Sequence, residues 1–150
     1  MGENKRLVCY NYPMILSIYT DGGSRGNPGP SGFGVAVYDD KKNVVAQISK
    51  FVGIKTNNEA EYLALNEAIS WVKDNLDRLV IDSVDFYSDS QLLVRQMQGK
   101  YKVKAPTITP LYRFATSLLS TMNLSYKFHE IPRELNSLAD SLANRAMDQR

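Results

Sequence analysis

The stretch Ile15-Leu-Ser-Ile-Tyr-Thr-Asp-Gly-Gly-Ser-Arg-Gly-Asn-Pro-Gly-Pro30 constrains this chain more than any other. It opens as an apolar, β-branched run and reaches an acid at Asp21. Glycines follow at 22, 23, 26 and 29. The pattern predicts a buried strand over about 14–20 that stops at Asp21 and then turns sharply. A carboxylate fixed on a rigid strand, beside a glycine loop that exposes backbone, suits a metal that must meet a phosphate.

The rest of the chain supplies a setting for that acid. Residues 1–13 show no clear periodicity and read as a leader, so the domain proper is expected over 14–150. Phe33 to Tyr38 and Val44 to Val52 read as two strands joined by the polar turn Asp39-Asp-Lys-Lys-Asn43. Lys55-Thr-Asn-Asn58 is a helix start, with Thr or Asn as cap and Glu59 and Glu61 in the first turn. That helix runs to about Asn75, burying Ala60, Ala64, Leu65, Ala68, Ile69 and Val72; Trp71 reads as a packing residue at its edge. Val80 to Ser88 is a fourth strand, ended by Asp89 as the first was by Asp21. Short helices follow over about 90–98 and, bracketed by Pro106 and Pro110, to about 121. A fifth strand spans about 124–131. A last helix spans about 134–147, with Leu135, Leu138, Ala139, Leu142, Ala143 and Ala146 as its apolar stripe.

The order βββαβααβα makes an α/β fold: a five-stranded mixed sheet with helices on both faces. Strand four is then a parallel neighbour of strand one, which sets Asp21 beside Asp89 at the carboxyl edge, where such sheets bind ligands.

Charge is unevenly spread although the net value is only +2. From Ser90 to His129 there is no acid, while Arg95, Lys100, Lys102, Lys104, Arg113 and Lys127 fall there. An acidic focus beside a basic segment fits a metal site next to a polyanion; a solvated helix face is the plainer explanation. No apolar run reaches the ~20 residues of a membrane span. With one cysteine, Cys9, and one histidine, His129, neither an internal disulfide nor a zinc cluster is expected. A monomeric cytoplasmic protein is the expectation.

Four acids have contexts that can converge: Asp21 and Asp89 at strand ends, Glu61 and Asp140 on helices bordering buried stripes. Each has a structural alternative. Asp21 can form a turn, Asp89 can cap a helix, Glu61 can serve the helix dipole, and Asp140 can pair with Arg145 or Lys127. Together they are harder to dismiss, because an acid at a core boundary is costly unless its charge is compensated.

Four segments carry a family resemblance: Thr20-Asp-Gly-Gly-Ser-Arg-Gly-Asn-Pro-Gly-Pro30, Thr56-Asn-Asn-Glu-Ala-Glu-Tyr62, Tyr87-Ser-Asp-Ser-Gln91 and Pro132-Arg-Glu-Leu-Asn-Ser-Leu-Ala-Asp-Ser-Leu-Ala143. In order and spacing they closely resemble type 1 ribonuclease H over roughly residues 14–148. The resemblance implies an endoribonuclease that hydrolyses the RNA strand of RNA–DNA hybrids, leaving 5′-phosphate and 3′-hydroxyl ends. It implies that Asp21, Glu61, Asp89 and Asp140 bind two Mg²⁺ ions, with Mn²⁺ as a substitute. Asp21 bridges both ions, Asp140 favours the one that activates water, and Glu61 and Asp89 favour the one at the departing 3′ oxygen.

The resemblance also implies that Gly23, Ser24, Asn58 and Gln91 face the RNA groove. Asn27 and Thr56, with Asn57 beside them, are implied for a DNA-strand phosphate. Helix capping is the alternative for Thr56 and Asn57. Lys100, Tyr101, Lys102 and Lys104 would extend the backbone track. The chain departs from many relatives in two places. Glu130-Ile-Pro-Arg133 stands where a loop histidine is common, which gives Arg133 an auxiliary role, and His129 reads as structural. The connector after Gly99 is short and lacks a long basic protrusion. Another nuclease of the same fold, integrase-like or resolvase-like, and a non-catalytic hybrid-binding module are the competing readings.

Overall fold

The computed structural model describes residues 13–149, so residues 1–12 of the expected leader lie outside it. Five strands run β1 (Met14–Ser24), β2 (Gly29–Tyr38), β3 (Val44–Lys55), β4 (Ile81–Ser88) and β5 (Ser125–Glu130). Four helices are α1 (Asn57–Asp74), α2 (Gln91–Met97), α3 (Thr109–Ser120) and α4 (Ser137–Asp148). The sheet order is β3-β2-β1-β4-β5. β1, β2 and β3 form an antiparallel meander, while β4 lies parallel to β1 and β5 parallel to β4. The expected mixed sheet and its strand order are therefore observed.

Alternation along β1 divides the core. Met14, Leu16 and Ile18 are fully buried, with Phe33, Val35 and Val37 of β2 in the same cluster. Ala60, Ala64, Leu65, Ala68, Ile69 and Val72 of α1 are buried as their spacing predicts, and Trp71 packs at the edge of that cluster. α4 covers the other face. Neighbouring glycines make the two-sidedness explicit: a Cβ on Gly22 would meet α1 at Ala60 and Glu61, and one on Gly23 would meet Met147 of α4.

The expected stop of β1 at Asp21 is corrected here. The strand continues to Ser24, paired with β2 through Gly22↔Phe33, Gly23↔Gly32 and Ser24↔Ser31. Gly22 permits close approach to the α1 backbone rather than a turn, a use that the sequence pattern does not separate from chain reversal. The reversal comes later, where Gly26 has φ 87° and Arg25 N–H donates to the Pro30 carbonyl at 2.8 Å.

The expected single helix over about 134–147 is also corrected. A 3₁₀ turn, Arg133–Leu135, precedes α4, and the two are separated by Asn136 at φ −114° and ψ 32°. Leu135 consequently falls out of the apolar stripe and is 63% exposed. Leu142, Ala139, Ala143 and Ala146 remain buried.

Close packing of α4 on the sheet yields a prediction. A Cβ on Gly34 would collide with the Ala139 carbonyl and come within 2.6 Å of Leu142 Cβ. Both obstacles belong to a helix that cannot yield locally. Gly34→Ala should cost about 3 kcal/mol, read as a lower midpoint in urea with an unchanged slope.

Candidate active site

Strand register and helix starts bring the acids together. The β1–β4 ladder runs to Tyr19↔Tyr87, which aligns Asp21 with Asp89 just beyond the end of β4. α1 starts with a capping box: Thr56 Oγ1 accepts from Glu59 N–H, and Glu59 returns a bond to the Thr56 N–H. This fixes the first turn and with it Glu61. Asp140 sits in the first turn of α4. Asp21, Glu61, Asp89 and Asp140 all line one open cleft of about 810 Å³.

Electrostatics supports the same convergence. Burial, then the charge of Asp89, then a hydrogen bond with Asp140 and the charges of Asp140 and Glu61, push the Asp21 carboxyl up to about 8. Burial lifts Glu61 to about 7, opposed by a hydrogen bond from Ser90 and assisted by Asp89. Asp89 is raised by burial, and the Arg133 guanidinium acts against that rise. The charges of Asp89, Asp140 and Glu61 thus make ionisation of Asp21 harder.

The structural alternatives named for Asp89, Asp140 and Asp21 do not hold. Ser90, not Asp89, caps α2, accepting from Leu93 N–H at 3.2 Å. The ion pairs among the described residues join Arg25–Asp148, Lys50–Glu67, Arg95–Glu130 and Asp85–His129, so Asp140 is taken by neither Arg145 nor Lys127. Asp21 lies within a paired strand, not in a turn.

The reverse transcriptase-like family model matches residues 19–146. LC11-RNase H1, isolated from compost by a metagenomic approach and solved in complex with an RNA/DNA hybrid, is 44% identical. That match covers 89% of this chain and 97% of that chain, with a TM-score of 0.85. The chain belongs to the type 1 ribonuclease H family. Ribonuclease HI of Halobacterium salinarum is 35% identical over 87% of this chain and 63% of its own length. A bifunctional protein of Mycobacterium tuberculosis is 41% identical over 90% of this chain but only 36% of its own length. The solved N-terminal RNase H domain of that protein superposes with a TM-score of 0.82. The chain therefore spans about a third to two thirds of these curated relatives.

Against this ribonuclease H frame, the residues expected at the site separate into three groups. Gly23, Ser24, Asn57, Asn58, Gln91 and Arg133 line the cleft with the four acids. Asn27 and Thr56 do not; they brace it. Asn27 Oδ1 accepts from Asn57 N–H at 2.9 Å, and Asn57 Oδ1 accepts from Ser24 N–H at 2.8 Å. The third group is Lys100, Tyr101, Lys102 and Lys104. They stand on the connector beyond α2, exposed and outside the cleft. Tyr101 is held there by Arg95, which donates to its hydroxyl at 2.9 Å and lies 5.5 Å from its ring centroid. His129 is structural, as expected: Nε2 lies 2.8 Å from Asp85 Oδ1 and the ring stacks on Tyr87.

Arg25, Ser90, Asn144 and Met147 also line the cleft and were not expected there. Ser90 stood in the Tyr87–Gln91 motif and was discoverable. Arg25 stood in the Thr20–Pro30 motif as well, although its partners Asn144 and Asp148 lie at the far end of the chain.

Proposed function

We propose that this protein is an endoribonuclease that cuts the RNA strand of RNA–DNA hybrids, leaving 5′-phosphate and 3′-hydroxyl ends. The observation that carries the reading is the convergence of Asp21, Glu61, Asp89 and Asp140 on one open cleft. Ribonucleases of this family are metal-dependent. The donors here are all oxygens, which suit hard divalent cations such as Mg²⁺ or Mn²⁺. The raised carboxyls are a second sign of fit, since their ionisation in the cleft lacks the counter-charge that a cation would supply. Among the described residues no three acidic, histidine or cysteine side chains stand close enough together to hold one ion.

Asp21, Glu61, Asp89 and Asp140 would hold two Mg²⁺ ions, which when bound supply Lewis acidity for the attacking water and for the departing 3′ oxygen. The protein's own contribution is positioning. Ser24, Asn57, Asn58 and Gln91 offer amides and hydroxyls on one wall, suited to 2′-hydroxyls and base edges in a wide minor groove. Arg133, which also lines the cleft, is an auxiliary group beside Asp89 and suits a phosphate. Lys100, Lys102 and Lys104, outside the cleft, would add salt-dependent backbone attraction along a longer duplex.

A cleavage panel tests this reading. With Mg²⁺, matched RNA–DNA hybrid should be cut at least about 100-fold faster than duplex RNA or duplex DNA. Preferential cutting of duplex DNA would move the protein to another nuclease class of the same fold. Binding of hybrid without any metal-dependent turnover would make it a binding module.

A further inference from the structure

Asn136 occupies the N-terminal boundary of α4, where an asparagine ordinarily accepts a helix N–H with its side chain. Here the side chain makes no such cap. The residue is 1% exposed, and its Nδ2 donates to the Thr20 carbonyl of β1 at 2.9 Å. Its own carbonyl accepts from Asp140 N–H at 3.0 Å. Its side chain also stands close enough to Asp89 to act against the rise of that carboxyl. The Asn136 Oδ1 is buried with no hydrogen-bond partner. An uncapped helix start and a buried, unpaired acceptor both cost local stability. The stability of α4 therefore does not explain this side chain's direction.

Its place relative to the sheet does. The parallel ladder between β1 and β4 ends at Tyr19↔Tyr87. Beyond that pair, backbone hydrogen bonds no longer hold Asp21 against Asp89, although the two carboxylates repel. Asn136 stands at this point. It grips the residue before Asp21, reaches Asp89, and starts the turn that carries Asp140.

We propose that Asn136 is a positioning residue for the divalent-cation site, holding the β1 segment that carries Asp21 and the end of β4 at Asp89 in register with the helix turn of Asp140. It rests on the two-ion reading above. Because the three acids belong to separate elements, their spacing before loading depends on this cross-link. A looser spacing lowers cation affinity, and turnover falls with it at limiting cation, while hybrid contacts on the Ser24–Asn58 wall are untouched.

Two variants separate positioning from folding. Asn136→Ser keeps a good helix cap but is too short to reach the Thr20 carbonyl. Asn136→Leu keeps nearly the same shape, adds no charge beside the acids and loses the donor. The measurements are Mn²⁺ affinity by calorimetry on the nucleic-acid-free protein, half-saturating Mg²⁺ for hybrid cleavage, and the thermal midpoint in EDTA. Both variants should bind Mn²⁺ at least about 10-fold more weakly and need correspondingly more Mg²⁺. Asn136→Ser should keep its midpoint in EDTA. If either variant folds and binds Mn²⁺ as the wild type does, the inference is overturned. It is equally overturned if both variants unfold at the assay temperature, since Asn136 is then a folding residue. A wild-type protein that binds no Mn²⁺ and cuts no hybrid refutes the two-ion reading instead.

Discussion

Asp21→Asn is expected to lower hybrid cleavage by about 1000-fold or more, a loss of ~4 kcal/mol of transition-state stabilisation. Affinity for uncleaved hybrid should change by no more than about 2-fold, because backbone contacts rest on other groups. Asp21 is the acid coupled to all three others, through the charge of Asp89, a hydrogen bond and charge from Asp140, and the charge of Glu61. The amide keeps the shape but removes the charge that cations would share. Single-turnover cleavage alongside hybrid titration in Ca²⁺ gives the two numbers. Near wild-type cleavage would sink the assignment of Asp21. A parallel loss of binding would instead assign it to substrate contact.

The second large effect concerns pH and metal. In the folded, metal-free protein Asp21 is raised to about 8 and Glu61 to about 7, and Asp89 is raised too. Unfolding returns each to an ordinary carboxyl value. The folded state therefore holds protons that the unfolded chain releases. These groups make stability fall as pH rises from about 4 to about 8, and level above that. Divalent cations bind the ionised carboxylates, so they should raise the thermal midpoint more at about pH 8 than at about pH 5. Asp21→Asn should flatten both dependences and raise the metal-free midpoint at about pH 8, at roughly 3 °C per kcal/mol for a chain of this size. Thermal unfolding in EDTA and in Mg²⁺ across that pH range is the measurement. A metal-free midpoint that climbs through the range would contradict the raising of these carboxyls by burial and by their neighbours' charges.

Legibility differed by residue. The six buried positions of α1 could be read because a 3.6-residue period survives any tertiary context. The capping box could be read because Thr56 and Glu59 are three residues apart. Gly22 and Gly23 misled, since glycine marks both turns and places of close backbone approach, and only the position of Ala60 distinguishes them. Leu135 misled because its spacing fits the α4 stripe, yet the chain breaks at Asn136 and puts it into solvent. Lys100, Lys102 and Lys104 were grouped with the site by charge alone, and charge carries no direction.

By itself the sequence determined the order and type of the elements, the family, and which four acids deserved attention. Those properties depend on local period, caps and motif spacing, all of which are written along one dimension. Only the tertiary structure decided that Asp21 lies inside a continuing strand, that Ser90 rather than Asp89 caps α2, and that Asn27 and Thr56 brace the cleft while Asn57 and Asn58 line it. It also decided that Asn136 turns away from its helix toward Thr20, 116 residues earlier in the chain. Burial, mutual charge and hydrogen bonds of that range exist only once distant elements pack, and no local spacing encodes them.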